Sequence, residues 1–303
     1  MSDSKFKYIQ FIKTEYVPVF YRDWYLDAVT DKNWDVVIVE KNNRISGAYI
    51  YSLSSKLGIK YILNPQLCPY TGPIFFQKNN QSDILVDMLS QLPKHVLIIQ
   101  DYWHQNVLGD VTVTNLKRKK HTYIIDKRVK SEELSKKLSN DYRRKIKKAT
   151  KKLTYNEIDD FELMINFAIK SFDRKKVNFP YQKSLCMAMD KAVIQYGKRK
   201  IVKCTDEDDN IVAMGYFLSD NNWVYNLINA VTTDYRHNGM NLIIWNEIEA
   251  ALKNGKSFDF EGSMIPGVEN FYKRFCGQKT AYCSYGYSKN KIIDLVLMLK
   301  QRF

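Results

Sequence analysis

The sequence lacks any apolar run approaching the roughly 20 residues that cross a bilayer. Its opening residues, MSDSKFKYIQFIKTEY, also lack the apolar core and small-residue cleavage site of a secretory leader. The expectation is a cytoplasmic protein without a transmembrane segment. Cysteine is sparse: Cys68, Cys186, Cys204, Cys276 and Cys283 are scattered, with no CxxC pair. That spacing argues against a disulfide framework and a structural zinc site. It predicts packed free thiols, no metal and no tightly bound cofactor. Acidic residues are scarce in one stretch. Between Lys117 and Lys152 there are sixteen Lys or Arg against four acids, whereas the rest holds 31 basic and 29 acidic residues. The net charge of +14 is therefore concentrated in one segment. Such a segment attracts an anion: a phosphorylated cofactor, a phospholipid surface or a nucleic acid.

What is present is enough for a substantial core. The 303 residues are 45% hydrophobic, with 21 Tyr and 15 Phe, and the length suits two domains better than one. Two stretches, 35–53 and 199–220, each read as strand, polar turn and strand, with turns at 41–43 and 206–210. Their recurrence suggests a duplicated domain. Helices are expected at 22–30, 82–92, 161–172, 182–196 and 240–253, and strands at 59–63, 96–100, 122–126, 224–228 and 257–261. The three prolines of 64–76 read as a turn-rich excursion without an element. Alternating strands and helices imply mixed α/β layers. Between the halves, Leu134, Leu138, Tyr142, Ile146, Ala149 and Leu153 mark one apolar stripe on a single basic helix over 131–153. Ser131 is its expected N-cap.

The stretch 224–263 carries the chemistry. A strand feeds the run Arg236-His237-Asn238-Gly239-Met240-Asn241, which opens a helix. Free amides and the positive dipole end at such a start suit pyrophosphate, with Gly239 permitting close approach or positive φ. In the strand that follows, alternation puts Phe258 and Phe260 on one side and Asp259 and Glu261 on the other. Two neighbouring carboxylates raise at least one pKa toward neutrality and supply a general base for an amine.

These residues carry a resemblance. The run Arg236–Asn241 resembles the Q/R-x-x-G-x-G/A phosphate loop of GNAT acetyltransferases. FDFEGSMIPGVENFYKRFCG (258–277) is similar to the D-F-x-G-S…F-Y-x-x-F-G signature of the Fem-type branch of that superfamily. DYRRKIKKA (141–149) resembles that branch's basic helix, and QLCPYTGPIF (66–75) its P-x-x-G-P loop. The resemblance implies two tandem GNAT-like mixed-sheet halves, α/β (α+β) in class, joined by a basic helix. The halves fall at 1–128 and 156–303, with the helix at 129–155 and the donor loop in the second half. The helix read at 292–301 has two places open to it, its own half or the first.

The resemblance further implies transfer of an acyl or aminoacyl group to an amine. Arg236, His237, Asn238, Gly239, Met240 and Asn241 would bind the donor, and Glu261 or Asp259 would act as base. Arg143, Arg144 and Lys148 would hold a phosphorylated acceptor, with Tyr70 and Tyr123 along a first-half wall. Members of the branch include enzymes that add bridge amino acids to peptidoglycan precursors from aminoacyl-tRNA, and relatives thought to use acyl-CoA. The main expectation is an N-acyltransferase using acetyl-CoA or another acyl-CoA, with a small molecule or cell-envelope or sugar precursor as acceptor. An aminoacyl-tRNA-dependent ligase is the alternative. Tyr272 stands where the bridge-forming enzymes carry Lys, which counts against tRNA, and Asn241 replaces a Gly or Ala of the loop. A third reading is a non-catalytic nucleic-acid or membrane-surface protein, but residues 143–152 contain no aromatic or glycine interleaved with the cations. A fourth is a GNAT-fold half-enzyme whose donor site has decayed. The oligomeric state is open.

Overall fold

Paired asparagines make the first hairpin. Asn42 and Asn43 both adopt left-handed backbone (φ 53 and 58), the two-residue turn whose twist matches antiparallel strands. They join β1 (Trp34–Lys41) to β2 (Arg44–Lys56). The computed structural model describes residues 1–56, 58–94, 96, 98–104, 116–174, 176–232, 238–262 and 266–288. Its contacts divide the chain into two units, Met1–His121 with Ala281–Phe303, and Thr122–Thr280. Among the described residues no helix is long and apolar enough to cross a membrane.

The first unit opens with α1 (Asp3–Phe11), capped by Ser2, whose Oγ accepts the Lys5 amide at 3.1 Å. Next come α2 (Asp23–Thr30), β3 (Ile59–Leu63), β4 (Gly72–Phe75), α3 (Gln81–Ser90) and β5 (Ile98–His104). Strands β1, β2, β3 and β5 lie side by side, antiparallel except for the parallel β3–β5 pair. The expectation of no element in 64–76 is corrected here: β4 pairs antiparallel with β2, from Gly47↔Phe75 to Ile50↔Gly72. The strand tolerates Pro73 because β2 is its sole ladder partner among the described residues, so no second ladder needs the missing N–H. Gly72 is required: its φ is +85, and a Cβ there would lie 2.6 Å from Trp103 Nε1.

The second unit takes β6 (Leu116–Ile125) from Thr122 onward, then α4 (Ser131–Lys137), α5 (Asn140–Lys152) and β7 (Thr154–Ile158). Two helices, α6 (Phe161–Arg174) and α7 (Lys183–Tyr196), precede the antiparallel β8 (Lys198–Thr205), β9 (Ile211–Ser219) and β10 (Trp223–Val231). The chain continues through α8 (Gly239–Lys253), β11 (Ser257–Asp259) and α9 (Pro266–Lys273). The order within this unit is β6, β11, β10, β9, β8, β7, with β10 and β11 parallel across α8. The last strand, β12 (Gln278–Ser288), leaves the second unit after Thr280 and pairs with β5 of the first. There Tyr285 stacks on Trp103, centroids 4.3 Å apart. The helix expected at 292–301 lies outside the described residues.

The basic helix also needs correction. It is two helices, because Leu138 is extended (φ −62, ψ 141) and Ser139 starts a new one by accepting the Tyr142 amide at 3.2 Å. The apolar stripe survives the break. Leu134, Leu138, Tyr142, Ile146, Ala149 and Leu153 are all buried in the second unit's core, with Ile243, Phe258, Phe260 and Phe275. Burying that stripe is what leaves the cations on the outer face.

Candidate active site

The site grows from a ladder that ends early. The parallel pairing of β10 with β11 runs from Trp223↔Ser257 to Tyr225↔Asp259 and stops, while β10 continues along β9 to Val231↔Ala213. From Asn226 onward β10 therefore has no ladder partner on the β11 side among the described residues. Along the same stretch the register slips between Asn226 and Ile228, which makes Leu227 a bulge. A bulge shifts the side-chain alternation by one residue, so Asn226 and Asn229 reach a common neighbour.

Asp259 ends β11. It is 2% exposed, and its Oδ1 accepts from Thr122 Oγ1 at 2.7 Å and from the Glu261 amide at 2.9 Å. The second bond explains why the strand stops short of the expected Glu261. A carboxylate that takes the amide two residues on turns the chain, and Glu261 follows with φ 59 and Gly262 with φ 63. The alternation argument for placing both acids on one strand face thus fails, yet the turn brings them together anyway. Phe260 stays in the core, its amide donating to the Tyr123 carbonyl at 3.1 Å.

Burial dominates the electrostatics. It lifts Asp259 to about 6 against the pull of its two donors. It lifts Glu261 well above the carboxylate range, and the neighbouring Asp259 charge adds to the effect. The sequence expected mutual repulsion as the cause of a raised pKa; desolvation is the larger one. Both carboxyls are thus shifted toward the protonated form, and ionising one makes it harder to ionise the other. Glu261 is half-buried as a residue, but its Oε1 is sealed from solvent and has no hydrogen-bond partner among the described residues.

Tyr272, on α9, closes the polar cluster. Its hydroxyl receives the Nδ2 groups of Asn226 at 3.4 Å and Asn229 at 3.3 Å. Burial raises its pKa, the two amides lower it, and the Glu261 charge raises it again. The amide oxygens of Asn226 and Asn229 are buried and unpartnered among the described residues.

The other expected residues fall as follows. Arg236 and His237 lie outside the described residues. Asn238 takes a left-handed conformation (φ 56) as the N-cap of α8, and its carbonyl accepts the amides of Asn241 at 3.1 Å and Leu242 at 3.3 Å. The Asn241 amide is thus used within the turn, and the residue is 8% exposed. Met240 is buried in the core. Gly239 serves packing: a Cβ there would sit 3.0 Å from both Ala213 Cβ and Val212 Cγ2. Arg143, Arg144 and Lys148 are exposed. Arg143 donates to Asn140, and Arg144 pairs with Asp141 at 3.0 Å. Tyr70 is buried in the first unit against Phe20 and His104. Tyr123, expected on a first-half wall, belongs to the second unit, where its hydroxyl lies 3.3 Å from Glu269 Oε1. Cys68, Cys186 and Cys204 are buried free thiols, and Cys276 is an exposed one. No group of three or more metal-ligating side chains occurs among the described residues.

Sequence reasoning missed Thr122, Asn226 and Asn229, and treated Tyr272 only as a departure from a motif. The available signal was two asparagines interrupting the otherwise apolar VYNLINAV of β10.

No protein-family model matches the chain, and no curated protein matches it by sequence. Solved structures do. The crystal structure of FemX superposes with a TM-score of 0.69 at 11% identity, covering 98% of this chain and 99% of that one. The C-terminal domain of a putative lysylphosphatidylglycerol synthetase from Agrobacterium fabrum follows at 0.57 and 9%, covering 98% and 94%. L-PGS from Bacillus licheniformis gives 0.55 and 11%, covering 98% and 95%. At these identities the likeness is one of fold. The chain has the two-unit, mixed α/β GNAT-like fold of FemX, over nearly its whole length.

Proposed function

We propose that this protein transfers an acyl group from an activated ester or thioester to an amine, at the gap where β10 and β11 part. One observation carries the reading: Asp259 and Glu261 meet at the turn that ends β11, where the Glu261 amide donates to Asp259 Oδ1 at 2.9 Å and burial raises both carboxyls, in a chain with the fold of FemX. The donor carbonyl lies along the unpaired edge of β10, where backbone amides face it. Asp259, ionised above pH 6, takes a proton from the attacking amine. As the tetrahedral intermediate collapses, Glu261 gives its proton to the departing thiolate or alkoxide, and water returns each acid to its starting state. No covalent enzyme intermediate forms. The amides of Gly239 and Met240 meet the donor phosphate, and Arg236 and His237, which precede them in the sequence, add the positive charge it needs. Acyl-CoA is the first donor, and a small amine or cell-envelope precursor is the acceptor, its phosphate drawn to Arg143, Arg144 and Lys148.

A second reading takes aminoacyl-tRNA as donor. The exposed cations of α5 favour it, since Arg143, Arg144, Lys147, Lys148, Lys151 and Lys152 all face outward and suit a phosphate backbone. Titrations with CoA, acetyl-CoA and charged tRNA in parallel test both. A ligand at 100 times its Kd adds about 2.7 kcal/mol of stability. Binding of CoA supports the first donor, and salt-sensitive binding of charged tRNA alone supports the second. Neither binding, together with full retention of an amine-acylating activity in both Asp259→Asn and Glu261→Gln, removes the proposal.

A further inference from the structure

A carboxyl sealed in a core ionises only where donors there answer its charge. Asp259 has two, and they differ in kind. The Glu261 amide, 2.9 Å from Oδ1, belongs to the backbone of the turn and does not depend on which side chains surround it. The Thr122 hydroxyl, 2.7 Å from the same oxygen, is a side chain supplied by another strand. Its place follows from the ladder. Strands β11 and β6 pair antiparallel as Phe258↔Ile125 and Asp259↔Ile124, and the Phe260 amide carries the pairing on to the Tyr123 carbonyl at 3.1 Å. Thr122 lies two residues from Ile124, hence on the same face of β6 and diagonal to Asp259. Both residues are buried, at 1% and 2% exposure, so bulk water does not replace the hydroxyl. A hydroxyl has one proton to give. The Tyr123 carbonyl is the longer alternative, 3.4 Å from Thr122 Oγ1, and an ionised acceptor makes the shorter and stronger bond. The proton therefore goes to Asp259. Branching at Cβ restricts the threonine side chain to few rotamers, which keeps Oγ1 on the carboxyl at small entropic cost. Burial is the larger influence on Asp259, and of the two bonds that oppose it the one from Thr122 comes first.

We infer that Thr122 is the positioning residue of Asp259: its hydroxyl fixes the carboxyl at the turn and lets it carry a charge inside the core. In the transfer reaction proposed above, Thr122 touches neither donor nor acceptor and acts through Asp259 alone, keeping the base ionised and aimed. That role in catalysis rests on the transfer reaction; the hold on the carboxyl does not.

The carboxyl itself reports the result. In protein labelled with ¹³C-aspartate, the Cγ resonance of Asp259 is identified by its loss in Asp259→Asn, and its titration midpoint is followed by NMR. Thr122→Val keeps the shape and removes the hydroxyl, whereas Thr122→Ser keeps the hydroxyl. The midpoint should rise by about one to two pH units in Thr122→Val and stay near the wild-type value in Thr122→Ser. A side chain that only filled space would lower the melting temperature of both variants and leave the midpoint alone. Should Thr122→Val not fold, Thr122→Ala makes the same comparison. A midpoint unmoved on loss of the hydroxyl, or moved equally in Thr122→Ser, overturns the inference. If the midpoint rises as expected while Asp259→Asn and Glu261→Gln both retain a full amine-acylating activity, Thr122 keeps its hold on the carboxyl and the transfer reaction falls. If those two variants lose the activity while the Thr122→Val midpoint matches wild type, the reaction stands and the role of Thr122 falls.

Discussion

Replacing Asp259 with Asn should stabilise the protein while abolishing its chemistry, and the gain should depend on pH in a fixed direction. Asp259 is fully buried, and burial raises its carboxyl from 3.8 to about 6. At about 1.4 kcal/mol per pH unit, ionising it inside the fold costs about 3 kcal/mol relative to the unfolded chain. Below pH 3.8 the carboxyl is protonated in both states, and this group separates the two proteins by nothing. As pH climbs from 3.8 to 6 the unfolded chain releases the proton first, so the wild type loses stability that the variant keeps. Above pH 6 the gap is full and level. An asparagine Oδ1 still accepts from Thr122 Oγ1 and from the Glu261 amide, so no bond is lost in exchange. Removing the charge also relieves Glu261, which Asp259 pushes upward. Thermal melts of both proteins from pH 3.5 to 8 read the gap, which should open to about 6–12 °C for a unit of this size. A gap independent of pH, or a variant less stable than wild type at pH 8, would refute the assignment of a strained, buried carboxylate.

Glu261→Gln should lower transfer about 10²–10⁴-fold yet leave the fold intact, since burial already disfavours the charged carboxylate there; circular dichroism and a turnover assay check the two halves. Ser139→Ala removes the cap that restarts the basic helix and should cost about 1 kcal/mol in a urea titration. Phe258→Ala empties a fully buried ring site against Phe217 and Phe260 and should cost about 3–5 kcal/mol, read in the same titration. Joint reversal of Arg143, Arg144 and Lys148 to Glu should leave melting within about 2 °C, because all three are exposed. It should weaken binding of a phosphorylated acceptor or of tRNA, and flatten the salt dependence.

Local periodicity made most of the scaffold legible. Both hairpins, the helix after β10 and the stripe from Leu134 to Leu153 announce themselves through alternation or helical spacing, and each is where its pattern placed it. What escaped the sequence depends on partners distant in the chain. Residues 72–75 form a strand because β2 offers an edge, and no local signal around Pro73 reveals that edge. Ser139 reads as another residue in a helical run until its hydroxyl is seen to take an amide. At the site, Asp259 and Glu261 were named from an alternation that the turn at Glu261 breaks. Thr122 reaches Asp259 from 137 positions away, and Tyr272 meets Asn226 and Asn229 only after the chain has folded around Phe260. The packing demand on Gly239 escaped for a similar reason: Val212 and Ala213 of β9, distant in the chain, set how close the start of α8 must come.

The return of β12 to β5 has a consequence for how the protein is made. The second unit is one uninterrupted stretch of chain and can complete its sheet as soon as Thr280 has been synthesised. The first unit must wait, because Tyr282 through Ser288, which line β5 from His104 to Ile98, are translated only after the whole of the second. The usual order of emergence, in which the leading domain folds first, is inverted. Until those residues arrive, β5 stays an unprotected edge in the nascent protein, and a ribosome stalled just past the second unit would release a chain with one finished half and one aggregation-prone half.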